Sequence, residues 1–156
     1  VSNHFRSNKS ILFYVLGECT DSLKNGITSS SLKNLKKEYN FKYLKFQSDV
    51  RPIIKKSTCV VSTSYREGAS KVLLESASMG RPLISSNISG AKYIVYNNYN
   101  GYTFDLKKKL SLKNTINKFL KLSHNKKKKM SKNSRLLATR KFDEKHVINK
   151  YLQIIA

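Results

Sequence analysis

The sequence predicts an α/β domain: a parallel sheet with helices on both faces, followed by a run of C-terminal helices. Short apolar, β-rich runs alternate with amphipathic stretches long enough to be helices. Strands joined through helices form parallel crossovers, which are buried on both sides. Length bounds the rest, because 156 residues make one domain with a real core.

In chain order, residues 10–16 (SILFYVL) form a continuous apolar run that ends at Gly17 and read as a buried strand. Residues 30–39 set Leu32 and Leu35 on one stripe among Lys33, Lys36, Lys37 and Glu38, the pattern of an amphipathic helix. Residues 41–46 read as a second strand. Asp49 is placed to cap a short helix over residues 50–56, whose first turn tolerates Pro52. Residues 58–62 are the third strand, and the loop 64–68 leads into a helix over residues 69–79 that Gly80 ends. Residues 81–85 are the fourth strand, 91–95 a helical turn and 101–104 a brief fifth strand. Helices over residues 110–122, 126–139 and 143–155 complete the chain. No internal repeat is visible.

The net charge of +22 comes almost wholly from Lys, since Arg occurs only at positions 6, 51, 66, 81, 135 and 140. Proteins that read bases favour Arg, whose planar fork makes bidentate contacts. The aromatics fall in expected core runs, so no nucleic-acid partner is expected. Lys accompanied by Asn, as at Asn97, Asn98 and Asn100, is what an AT-rich coding sequence imposes on exposed positions. The charge still concentrates anions, whether nucleotide sugars, anionic lipid or RNA. Lys126, Lys127, Lys128 and Lys129 open a predicted helix, where cations oppose the macrodipole. They are either a solvated turn or a contact for phospholipid head groups. The apolar runs fall far short of the roughly 20 residues that span a bilayer. The chain opens on Val1 with no charged-then-apolar leader, and the missing initiator Met suggests removal of residues upstream. Cys19 and Cys59 give neither a disulfide framework nor a metal spacing, and read as half-buried residues in a reducing cytoplasm.

The informative stretch runs from Ser64 to Ile84. A strand ends, a glycine loop follows, and a helix begins near Ala69 or Ser70. A helix N-terminus presents free amides and a partial positive charge, which is a seat for phosphate. Gly68 lets backbone approach a ligand closely. In parallel sheets, ligands bind in the crevice beyond the strands' carboxyl ends, where this loop opens. Glu67 in the loop and Glu75 within the helix bracket the seat. A carboxylate only accepts, so it suits a vicinal diol of a ribose or a sugar. Phosphate between two such groups matches a nucleotide-diphosphate sugar. On spacing alone, the plainer reading is favoured: an ordinary helix in an α/β domain with two exposed glutamates.

A resemblance separates these readings. The segment is similar to the signature of glycosyltransferase family 4, retaining enzymes with two facing Rossmann-like domains (the GT-B fold). Glu67 and Glu75 stand at the family's separation, with Gly68, Val72, Leu73, Leu74, Gly80, Arg81 and Pro82 in register. Tyr65 and Arg66 before Glu67 resemble enzymes of capsular and lipopolysaccharide assembly. Residues 13–17 and 47–52, Gly90, Ile94, Val95, Asn100, Gly101, Met130, Asn133, Arg135, Phe142 and Tyr151 extend the likeness over nearly the whole chain. The resemblance implies that residues 1–156 are the C-terminal, donor-binding half of such an enzyme, Rossmann-like in fold. The implied reaction is retaining hexosyl transfer from a UDP- or GDP-type donor to a glycan or lipid-linked acceptor in polysaccharide biosynthesis. Glu67 is then the catalytic carboxylate on the donor sugar's hydroxyls. Gly68, Ala69 and the amides of Ser70, Lys71 and Val72 hold sugar and diphosphate, Glu75 holds the ribose diol, and Gly17 lies near the phosphate crevice. The Lys71 ammonium either meets a phosphate or is solvated. No metal and no cofactor besides the donor substrate is expected.

The same resemblance marks departures. The acceptor-binding N-terminal domain and the donor domain's first strand–helix unit, with its basic pair, have no counterpart here. Thr63, Ser89, Tyr93 and Lys45 stand where Pro, Pro, Glu and Gly are usual. A departing diphosphate gains charge in the transition state, so weak binding and little turnover by the chain alone are expected. An N-terminal acceptor domain or a partner chain would complete it; the alternative is a non-catalytic binding subunit or a degenerate remnant, with a basic nucleic-acid-binding protein, driven by the +22 charge, as the last reading. The expected location is cytoplasmic, with peripheral contact to anionic membrane at the inner face of the plasma membrane as a further reading.

Overall fold

The computed structural model describes residues 2–5, 8, 10–19, 27–39 and 41–155, so Val1 lies outside the described residues. The chain divides into two compact units, Val1–Val50 and Arg51–Ala156.

In the first unit a 3-10 turn, Ser2–Phe5, precedes β1 (Tyr14–Leu16), α1 (Ser29–Glu38) and β2 (Lys42–Leu44). Thr28 caps α1 by accepting from the Ser31 amide at 3.1 Å. β1 and β2 pair in parallel, Tyr14 against Lys42 and Leu16 against Leu44. The Gly17 amide adds a bond to the Leu44 carbonyl. Phe5 is buried, its ring centroid 5.1 Å from His4 and 5.9 Å from Phe13. The expected buried strand over residues 10–16 is instead three residues long and uncovered, with Tyr14, Val15 and Leu16 at 48%, 42% and 37% exposure. An apolar run suits a strand for burial, but burial needs a layer on each face, and a two-stranded ladder with one helix supplies too few.

The second unit holds α2 (Arg51–Lys56), β3 (Val60–Ser62), α3 (Lys71–Ser78), β4 (Leu83–Ser86), α4 (Ser89–Lys92), β5 (Gly101–Phe104), α5 (Ser111–Leu120), α6 (His124–Lys141) and α7 (Glu144–Ile155). Its sheet runs β3-β4-β5, all parallel, with Val60 beside Leu83 and Leu83 beside Gly101. Parallel sheets among helices are as expected; the pairing falls in two ladders, one per unit. Every residue of the central strand β4 is buried. Leu73, Ala77, Leu83, Ala91, Ile94, Val95 and Ala138 close one hydrophobic cluster.

Local chemistry explains the joints. Gly80 ends α3 in the left-handed conformation (φ 64°): its amide donates to the Ala77 carbonyl and the Arg81 amide to Ser76, both at 2.9 Å. This doubly bonded C-terminal cap is a conformation that favours glycine. Asn100 is fully buried; its side chain donates to the Ile94 carbonyl and accepts from the Tyr96 amide, each at 2.8 Å. Beside it, any Cβ on Gly101 would overlap the Leu83 carbonyl. α6 packs against α3, with the Arg135 guanidinium donating to the Ser78 carbonyl at 2.5 Å.

The Lys-rich start of α6 differs from a wholly solvated turn. Ser123 caps the helix, and Lys127 reaches back to donate to the Leu120 carbonyl of α5 at 2.9 Å, lying 5.4 Å from the Phe119 ring centroid. That cation meets the negative end of the preceding helix. Lys126, Lys128 and Lys129 are exposed. α7 buries none of its residues. Both cysteines are half-buried, as expected, and burial pushes the Cys59 thiol up. Among the described residues no helix is long and apolar enough to cross a membrane.

Candidate functional site

β3 ends at Ser62 and the following loop carries the chain to α3. The buried Ser86 hydroxyl, at the end of β4, donates to the Ser64 carbonyl at 2.5 Å. The Ser64 hydroxyl in turn donates to the Glu67 carboxylate at 2.7 Å, a charge-assisted bond. Beyond the carboxyl ends of β3 and β4 opens a cleft of about 510 Å³ lined by Tyr65, Arg66, Glu67, Gly68, Ile88 and Ser89. That size is within the range of small-molecule sites.

α3 begins two residues later than the sequence suggests, because Ser70 is extended (φ −70°, ψ 109°). Its carbonyl accepts from the Leu74 amide, so the amides of Lys71, Val72 and Leu73 have no acceptor within the helix. The Ser70 hydroxyl makes no capping bond. It is 3% exposed and has no hydrogen-bond partner among the described residues. An unpartnered buried hydroxyl costs on the order of 1–3 kcal/mol, which a ligand acceptor would offset.

Of the expected site residues, Glu67 and Gly68 share the cleft wall. Ala69 is exposed and Ser70 buried at the helix start. Lys71 is 91% exposed and stands 3.8 Å from Glu75, one turn on along α3. Such an exposed pair is worth under about 1 kcal/mol. Val72 is exposed, and Glu75 lies on the α3 surface outside the cleft lining. Gly17 belongs to the first unit, where its carbonyl accepts from the Tyr43 hydroxyl at 2.8 Å. The Cys19 thiol donates to that same hydroxyl at 3.5 Å.

Sequence reasoning placed no site role on Tyr65, Arg66, Ile88 or Ser89. The first two adjoin Glu67 and were legible from position. Ile88 and Ser89 follow β4, and the signal for them is topological: loops after neighbouring parallel strands open on one crevice. Tyr65 also departs from the expectation that aromatics serve the core, since it is 81% exposed.

The model of the family of glycosyl transferases group 1 matches residues 4–137. The chain belongs to this family. This group 1 glycosyl transferase chain is similar in fold to Anabaena Alr3699/HepE, whose structure is a complex with UDP. There the TM-score is 0.83 and the identity 18%, over 98% of this chain and 43% of HepE. HepE is also known in complex with UDP-glucose. A glycosyltransferase from Rickettsia africae ESF-5 gives 0.78 and 22%, over 98% of this chain and 42% of that one. The C-terminal domain of LpcC, a group 1 family protein from Francisella tularensis, gives 0.58 and 20%, over 73% and 61%. The chain thus spans less than half the length of the first two. No curated protein matches it.

Proposed function

We propose that this chain is the donor-binding half of a retaining hexosyltransferase, taking a UDP- or GDP-sugar and serving a glycan or lipid-linked acceptor in polysaccharide biosynthesis. The observation that carries this reading is the start of α3. Free amides and an orphaned buried hydroxyl at Ser70 follow closely in the chain after Glu67 and Gly68, which wall a cleft. HepE, of the same fold, binds UDP and UDP-glucose.

In this reading the diphosphate rests on the amides of Ser70, Lys71 and Val72, with Gly68 and Ala69 admitting the sugar and no resident metal required. Glu67 accepts from the sugar hydroxyls as the catalytic carboxylate, and Glu75 accepts from the ribose diol. Lys71, one turn from Glu75, takes a phosphate contact when its partner turns to the ribose. On transfer the bond from the anomeric carbon to the diphosphate oxygen breaks, a bond to the acceptor oxygen forms, and the acceptor hydroxyl's proton passes to the departing diphosphate. The helix end stabilises the charge left on the departing diphosphate. An N-terminal acceptor domain or partner chain supplies the opposite wall of the site. Exposed Lys126, Lys128 and Lys129 offer a peripheral contact to anionic membrane at the cytoplasmic face.

A thermal-shift panel of UDP, GDP and their sugars tests the reading. A shift with one of them identifies the donor class, and no shift with any of them overturns donor binding. Glu75→Ala is expected to weaken nucleotide binding about 10- to 150-fold, the worth of a charge-assisted hydrogen bond. Equal affinity by calorimetry removes its ribose role. Full nucleotide binding without turnover, after an acceptor domain is supplied, would favour the non-catalytic subunit.

A further inference from the structure

We propose that Ser64 and Gly90 are positioning residues that preset the Glu67 carboxylate, Ser64 by holding its oxygen and Gly90 by seating its backbone. The inference rests on reading Glu67 as the sugar-binding group.

Glu67 and Gly68 are exposed, and an exposed loop glutamate ordinarily samples many rotamers, an entropy that must be lost when it binds. Two contacts restrict it here. From within the loop, the Ser64 hydroxyl donates to the Glu67 carboxylate at 2.7 Å, and Ser64 is itself anchored through its carbonyl to the buried Ser86 hydroxyl of β4. From the segment after β4, Gly90 in α4 lies directly against the loop's backbone. A Cβ there would overlap the carbonyl oxygens of both Gly68 and Glu67 and come within 2.8 Å of the Gly68 carbonyl carbon. A loop can approach a helix that closely only where no side chain intervenes.

Backbone carbonyl oxygens, unlike the tip of a flexible side chain, cannot turn aside. A methyl at position 90 therefore forces the loop away and takes Glu67 with it. The two contacts act on different parts of one residue: Gly90 sets where the backbone of Glu67 stands, and Ser64 sets where its carboxylate points. Because Ser64 satisfies one lone pair, the remaining carboxylate acceptors are left for a ligand diol.

The test uses the full chain and its variants Gly90→Ala, Ser64→Ala, Ser64→Thr and Glu67→Gln. Backbone order parameters are measured by NMR, and affinities for UDP and UDP-glucose by calorimetry. The parent amides of Glu67 and Gly68 should read as rigid, about 0.85, and fall towards about 0.6 in Gly90→Ala while β4 and β5 stay unchanged. Ser64→Ala should lower the preference for UDP-glucose over UDP about tenfold, as Glu67→Gln does, and Ser64→Thr should restore it. A parent loop that is already mobile, or equal order in parent and Gly90→Ala, overturns the role of Gly90. If Gly90→Ala fails to fold, the Glu67 order parameters and ligand preference of Ser64→Ala decide, and no change in either overturns the proposal. If the parent binds neither probe, the donor-site reading falls for this nucleotide, while the order parameters still decide whether the loop is held.

Discussion

The two units are made from the same kind of sequence and come out differently. The first has a three-residue ladder, a helix and one buried hydrophobic among its described residues, Phe5. The second has a central strand with every residue buried and a cluster reaching from Leu73 to Ala138. Both contain β-rich apolar runs, and residues 10–16 are more apolar than residues 81–85. What differs is the number of neighbouring elements. β4 has a strand on each side and α3 and α5 packed on it, whereas β1 has one partner strand among the described residues. Apolar content decides which segments can be core; neighbours decide which segments are.

The contrast can be broken or sharpened by substitution, measured as unfolding free energy in denaturant. The largest effect is expected at Leu83→Ala, fully buried at the centre of the sheet, at about 2–5 kcal/mol. Asn100→Ala should cost about 2–3 kcal/mol, since it leaves the Ile94 carbonyl and Tyr96 amide without their partner. Gly80→Ala places a side chain at φ 64° and should cost about 1–2 kcal/mol. In the first unit Val15→Thr, on an exposed strand, should stay within about 0.5 kcal/mol. A loss at Val15 matching that at Leu83 would mean that β1 is covered in solution, and the contrast would fail.

Much of this was legible in the sequence. The fifth strand stands at its expected residues, 101–104, because Gly101 and the aromatics around it leave little else that segment can be. The end of α3 was fixed by Gly80 for a reason visible in one letter, the left-handed cap. Its beginning was not, because Ser70 belongs to an extended cap, and a helix pattern does not show where its first residue turns. The site divides similarly. Glu67 and Gly68 were readable from their place after a strand and before a helix. Ile88 and Ser89 were not, because only the fold brings the loop after β4 to the same cleft. Lys127 shows a subtler loss. A run of four lysines looks uniform, yet one of them is bound to the preceding helix by a contact that no periodicity encodes.

Asn100 bears on how the chain ages. An asparagine followed by glycine is the sequence most open to deamidation, since the bare glycine nitrogen can close on the side-chain carbonyl and expel ammonia. Here both ends of that amide are hydrogen-bonded and the residue is out of reach of solvent. The native chain is shielded from this damage and the unfolded chain is not. Each brief excursion from the native state exposes the amide that ties the turn after α4 to the residue preceding β5, and a single spontaneous hydrolysis there would hinder the return.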